Sequence, residues 1–327
     1  MEKLLQWMGY IEDVRQEKKV RHKLKDILVI VLFATLADAD DWVEIAEFAE
    51  VYEDYLKKYI GLENGVPSHG LNGTIQRVMG MVLLEAMQQL YLKWQGLLDS
   101  GEGEALKKIV CIDGKTMRGN KNRNEKPLHI VSAWSKEDGF CMGQRAVMEK
   151  SNEITAIPLL LETIHIKGNI ITIDAMGTQT AVAEKIKSRR ADYVLAVRRN
   201  QKTLYNDIKD YFSEKEFLIK IKEKGCYKKS IEKAHGQMKT REYYQTGDIK
   251  WLCQYKDWKG MKSIIMERKV LEKEKHTEYR YYISSFAEDI NLASRAVRGH
   301  WSVESMHWHP DVTFRGDYNT TADKTAA

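Results

Sequence analysis

Cysteine is scarce. The 327 residues hold four, Cys111, Cys141, Cys226 and Cys253, and no two are spaced as C-x-x-C. That argues against a zinc knuckle and fits free thiols in a reducing cytoplasm. Long apolar runs are missing as well. The longest, "ILVIVLFATLA" from Ile27 to Ala37, falls far short of the ~20 residues that span a bilayer. The first residues, "MEKLLQWMGYIEDVR", carry acids early and contain no small-residue cleavage site, so no signal peptide is expected. Internal repeats and low-complexity tracts are absent. An excess of one charge is nearly absent too, with 52 Lys and Arg against 47 Asp and Glu, a net +5. Such a balance permits a polyanionic partner without demanding one. What is present is ordinary for a soluble globular protein: 43% hydrophobic and 30% charged residues. The expectation is a soluble, cytoplasmic chain with no membrane partner, long enough for two domains.

The pattern changes along the chain. Residues 1–104 read as a helical domain, with apolar residues at helical spacing in "KLKDILVIVLFATLADADDWVEIAEFAEVYEDYLKKYI" and Asp40 or Asp41 available as a helix cap. "DSGEGE", from Asp99 to Glu104, marks a boundary. From 105 to 199 the order reads β-β-β-α-β-α-β, which predicts an α/β sheet with a mixed-direction start. Residues 200–284 break the alternation. After a short helix they are rich in β-branched and aromatic residues, and read as an all-β insertion. A helical pattern returns in 285–327 with "NLASRAVRGHWSVESMHWH".

Two apolar runs end on an acid: "IVCID" at Asp113 and "IITID" at Asp174. The bland reading is a strand-to-turn signal, since Asp-Gly is a common turn dipeptide. Neighbouring strands would instead bring the two acids together, where carboxylates repel unless a cation joins them. A hard divalent ion with oxygen ligands relieves this. Glu304, on the late helix, offers a third carboxylate. Three such acids can hold two ions ~4 Å apart, an arrangement suited to in-line phosphoryl transfer on nucleic acid.

The longer motifs are "IDGKTMRG", "HIVSAWS", "KSNEITAIPLLLE", "TIDAMGTQ", "YVLAVRRNQKTL", "EKAHGQMKTREY" and "VRGHWSVESMHWHPDVTFRGD". Together they resemble the H-repeat-associated group of insertion-sequence DDE transposases, from about Asp13 to Ala327. The resemblance implies an RNase-H-like catalytic core, with Asp113, Asp174 and Glu304 as catalytic metal ligands for Mg²⁺ or Mn²⁺. It implies double-stranded DNA as partner, both transposon ends and target, and a homodimer. The helical N-terminal region would touch transposon ends. Where related groups place a Tyr, an Arg and a Lys around the Glu, this chain has Val297, His300 and Asp311, so those helper roles do not carry over. The family continues past the position of Ala327, so the chain reads as a C-terminally truncated copy.

Other residues take their roles from this frame. Lys115 and Arg118 lie beside Asp113 and either screen it or bind the scissile phosphate. Arg189, Arg190, Arg198, Arg199 and Lys202 crowd the ends of the fifth strand and suit backbone phosphates. His235 and Arg241 suit a transposon end or a flipped base, and His300 suits DNA or the core. Trp301 and Trp308 read as core anchors. Two rival functions stay open: a catalytically inactive remnant that binds DNA at most, and a metal-dependent nuclease without strand transfer.

Overall fold

The structure is a computed structural model. It describes residues 5, 6, 8, 9, 11–13, 15–39, 41–67, 74–79, 107–116, 129–147, 153–234, 237–271, 276–303 and 306. The chain forms two compact units, one of Met1–Glu102, Thr116–His129 and His307–Ala327, the other of Gly103–Lys115 and Ile130–Met306.

In the first unit the described elements are helices: α1 (Leu24–Leu36), α2 (Trp42–Val51), α3 (Glu53–Leu56) and α4 (Thr74–Met79). Helix α1 is apolar almost all round, so it is the buried centre of this unit. Ile27, Val29 and Ile30 are enclosed by Ile45, Ala46 and Ala49 of α2 and Ile75 and Val78 of α4. Asp41 caps α2, accepting hydrogen bonds from the amides of Val43 at 2.8 Å and Glu44 at 2.9 Å.

The second unit is built on one nine-stranded sheet. Its strands are β1 (Ile109–Thr116), β2 (His129–Ser135), β3 (Phe140–Val147), β4 (Ile170–Ile173), β5 (Asp192–Val197), β6 (Tyr227–Ala234), β7 (Gln237–Thr246), β8 (Ser263–Leu271) and β9 (His276–Ser284). The spatial order is β3-β2-β1-β4-β5-β9-β8-β7-β6. Strands β1, β4 and β5 are parallel, and β5 pairs antiparallel with β9. Helices α5 (Glu153–Thr163) and α6 (Thr180–Ser188) supply the crossovers between the parallel strands.

Alternation along each strand sorts the two faces. Val110, Ile112, Ile171, Ile173, Tyr193 and Leu195 face one way, toward α5, α6 and α7 (Lys202–Ser213). Ile109, Cys111, Ile170, Val194, Ile265 and Tyr282 face the other, toward Ala293, Ala296 and Val297 of α9 (Ile290–His300). The unit therefore has three layers, a mixed α/β architecture with both sheet faces covered.

The stretch 200–284, read as a β insertion after a short helix, opens with two helices, α7 and α8 (Lys215–Glu223), and continues in four strands. Those strands join the core sheet. Val194–Val197 of β5 pair with Ser284–Tyr281 of β9, so the core sheet continues through them. Local periodicity identifies a strand but is blind to which distant strand it pairs with.

Candidate active site

The register sets the two acids side by side. Ile112 of β1 pairs with Ile173 of β4, and Asp113 and Asp174 are the next residues on each. Strand β1 runs on to Thr116, three residues past Asp113, whereas β4 stops just before Asp174. Side-chain parity decides which face the acids share. Cys111 donates its thiol to the Gly299 carbonyl of α9 at 3.3 Å, and Thr172 Oγ1 lies 3.1 Å from His300 Nδ1. Asp113 and Asp174, two residues further along, fall on the same face, at the C-terminal end of α9. Helix α9 lies close to the sheet here. A Cβ on Gly299 would come within 2.9 Å of Lys136 Cδ and 3.3 Å of Ile109 Cδ1.

Asp174 is held by a tight turn. Its Oδ1 accepts hydrogen bonds from the amides of Met176 at 3.0 Å and Gly177 at 3.1 Å, and its carbonyl accepts one from Thr178 Oγ1 at 2.9 Å. Among the described residues, Oδ2 accepts none. Gly177 is required for space, since any Cβ would fall on Ile173 and Ile157. The loop after β5 braces this turn. Asn200 donates to the Ala175 carbonyl, and Gln201 donates to that of Thr178 at 3.2 Å. Neither residue stood out in the sequence, although both lie inside the "VRRNQKTL" motif.

Both acids open into a groove of about 710 Å³. Arg198, Arg199, Arg280, His300 and Trp301 also line it, with His276–Tyr282 of β9 along one wall. Arg198 and Arg199 are exposed. His300 is half-buried, and desolvation holds its pKa below the ordinary histidine value, against the pull of nearby Asp113 and Asp174. The Cys111 thiol beneath the site is pushed up to about 11 by burial, which keeps it an inert thiol.

The remaining candidates separate. Lys115 lies two residues past Asp113 on β1. Lys202 is exposed at the start of α7 and is not among the groove-lining residues. Arg241, expected at the DNA, is buried within the sheet and donates to Glu267 Oε1 at 2.6 Å. Its partner stands on another strand, so no local signal betrays the pairing. Trp301, expected as a core anchor, lines the groove with Arg280 over its ring. Glu304, Arg118, His235 and Trp308 lie outside the described residues.

The donor set suits a hard cation. Asp113 and Asp174 offer carboxylate oxygens on one face of the sheet, the ligand type that Mg²⁺ and Mn²⁺ favour. Among the described residues no cluster of three or more His, Cys, Asp or Glu side chains stands ready for a metal ion, so the pair needs a further ligand.

The second unit is thus a mixed α/β architecture in which Asp113 and Asp174 directly follow paired residues of neighbouring parallel strands. The family follows from the comparison with known proteins: the chain belongs to the Transposase DDE domain family, which matches residues 104–324. A second family, described as DDE_Tnp_1-associated, matches residues 5–95. The chain is 38% identical to "Putative transposase YncI" of Escherichia coli O157:H7, over 97% of this chain and 81% of that protein. It is 37% identical to "H repeat-associated putative transposase YhhI" of Escherichia coli (strain K12), over 97% of this chain and 84% of the relative. The piggyBac transposase synaptic complex with hairpin DNA overlays at a TM-score of 0.40 and 10% identity, over 94% of this chain and 65% of that one, a likeness too weak to carry an argument. No helix among the described residues is long and apolar enough to cross a membrane.

Proposed function

We propose that this transposase-family chain binds the terminal inverted repeats of an insertion sequence and cuts and joins DNA there by metal-dependent phosphoryl transfer. One observation carries the reading: Asp113 and Asp174 sit one residue beyond a paired Ile112 and Ile173, on the sheet face that also bears α9, in a groove edged by Arg198 and Arg199. The order β3-β2-β1-β4-β5, with its last three strands parallel, supports an RNase-H-like core.

Asp113 and Asp174 would hold Mg²⁺ or Mn²⁺, with Glu304 as the third carboxylate by family resemblance. Bound metal supplies activation of the attacking oxygen and neutralisation of charge on the leaving one. The chain's own residues do the rest. The Met176 and Gly177 amides orient Asp174 through one oxygen and leave the other for ligation. Arg198 and Arg199, exposed at the groove rim, contact phosphates and fix the strand's register without reading its sequence. In this reading water attacks first and a freed 3′-hydroxyl second, and two copies of the chain act together on two DNA ends.

The test uses DNA carrying the sequences that flank the gene, incubated with the protein and Mg²⁺. New 3′-hydroxyl ends and joined products are expected, and both should vanish in Asp113→Asn and Asp174→Asn. Cutting without joining would make the protein a nuclease. Binding without cutting would make it an inactive remnant.

A further inference from the structure

Resting on the proposed function, we infer that Arg280 is a phosphate-binding residue of the groove, pre-oriented by Trp301, Glu267 and Glu278 to seat a DNA strand beside Asp113 and Asp174. Arg280 stands on β9, on the face shared with Tyr282, and lines the same groove as the two acids. Its guanidinium Cζ lies 4.3 Å from the centre of the Trp301 ring. Such a stack fixes the guanidinium without using its hydrogen-bond donors.

Those donors are largely unspent. A guanidinium has five N–H groups in a fixed fork and no acceptor. Among the described residues, Arg280 donates one hydrogen bond, from Nη2 to Glu278 Oε2 at 3.1 Å. Its Nη1 is 3.7 Å from Glu267 Oε2, close enough for charge attraction and too far for a hydrogen bond.

The bland account makes Arg280 the last rung of a charge row across the sheet. Glu232 on β6, Arg241 on β7 and Glu267 on β8 alternate in sign toward it. That account leaves the donors unexplained. Arg241 closes only Glu267 Oε1, at 2.6 Å; Glu267 is 1% exposed, and its Oε2 draws Arg280 by charge at 3.7 Å without using a donor. Arg298, by contrast, spends two donors on Glu232. The side chain of Arg280 is 24% exposed and faces a groove lined by Asp113 and Asp174 as well as by its own partner Glu278. A phosphodiester approaching those carboxylates needs a cation that is already in place. The planar fork of an arginine matches two phosphate oxygens at once. The row behind Arg280 then acts as its mount: Glu267 and Glu278 hold the charge in position, and Trp301 sets the plane.

The experiment titrates KCl against binding of a short fluorescein-labelled duplex, by anisotropy, with the full chain in chelator so that nothing is cut. Arg280→Gln should bind about tenfold more weakly at low salt, the worth of a charged hydrogen bond. Its salt slope should be shallower by roughly 1, as expected for one phosphate. Arg280→Lys should keep the slope and recover only part of the affinity. Trp301→Leu should also weaken binding, yet Trp301→Leu combined with Arg280→Gln should bind no worse than Arg280→Gln alone, because both act through one guanidinium. An Arg280→Gln protein with the parent's slope and affinity overturns the inference and leaves the proposed function standing. Additive losses in the double variant also overturn it, since Trp301 would then act on its own. A parent that binds no duplex overturns the proposed function itself.

Discussion

Adding one methyl group at Gly177 probes how tightly the turn under Asp174 is built. The new Cβ would lie 2.4 Å from Ile173 Cγ2 and 2.6 Å from Ile157 Cδ1, well inside the ~3.5–4.0 Å at which carbons rest. Ile157 Cδ1 is the free end of its side chain and can turn aside. Ile173 Cγ2 sits on a β-branched carbon with little rotamer freedom, on the buried last residue of β4. Relief must therefore come from the turn or from the strand end. Overpacking of this kind costs about 1–3 kcal/mol. At about 2–4 °C per kcal/mol for a unit of this size, Gly177→Ala should melt roughly 2–12 °C below the parent. Movement of the turn would also stretch the 3.1 Å bond from the Gly177 amide to Asp174 Oδ1. A companion change separates the clash from a general loss of stability. Ile157→Val removes Cδ1 and alone costs about 0.5–1.5 kcal/mol; in the Ala-substituted background it should cost less, since it removes one of the two clashes. Thermal melts of the four proteins in chelator measure this. Gly177→Ala melting with the parent, or strictly additive costs, would refute the steric argument.

Three further outcomes are expected. Arg241→Ala leaves Glu267 buried without its 2.6 Å partner. It should lose about 3–5 kcal/mol in denaturant unfolding, whereas replacing both residues by apolar ones of similar size should cost far less. Arg198→Ala with Arg199→Ala should reduce the salt slope of duplex binding by roughly 1 for each phosphate no longer held; an unchanged slope would mean that these arginines serve only the surface. Cys111, with its pKa raised to about 11, stays a thiol at pH 8 and should resist alkylation in the folded protein, while exposed Cys253 is modified; labelling followed by peptide mass analysis reads both, and fast modification of Cys111 would contradict its burial.

The parts of this fold that local pattern controls are readable in the sequence. "IVCID" and "IITID" are short β-branched runs that end in acids, and such runs become buried parallel strands once helices cover both faces. The alternation α5-β4-α6-β5 follows from the change of period between 2 and 3.6. Pairings between distant segments are not readable in this way. Nothing around Arg241 announces that its carboxylate stands 26 residues later on the next strand. Nothing in "YRYYISS" or "GHWSV" announces that Arg280 and Trp301 meet. Nor does local pattern show that the strands after α8 extend the core sheet, which the pairing of β5 with β9 makes them do. Within the site, Asp113 and Asp174 stood out because a strand ending in an acid is a local signal. Asn200, Gln201 and Gly177, which support Asp174, carry no charge and signalled nothing.

The most direct test of the account asks whether Asp113 and Asp174 together bind a divalent ion. Asp174→Asn removes one charge and keeps an Oδ1 for the two turn amides. Thermal melts of parent and variant are compared in chelator and with Mn²⁺ or Mg²⁺. In chelator the variant should melt somewhat higher, because one of two facing carboxylates is gone. Metal at a hundred times its dissociation constant should stabilise the parent by about 2.7 kcal/mol and the variant by much less. Equal metal shifts in the two proteins would take Asp174 out of the site and contradict the account.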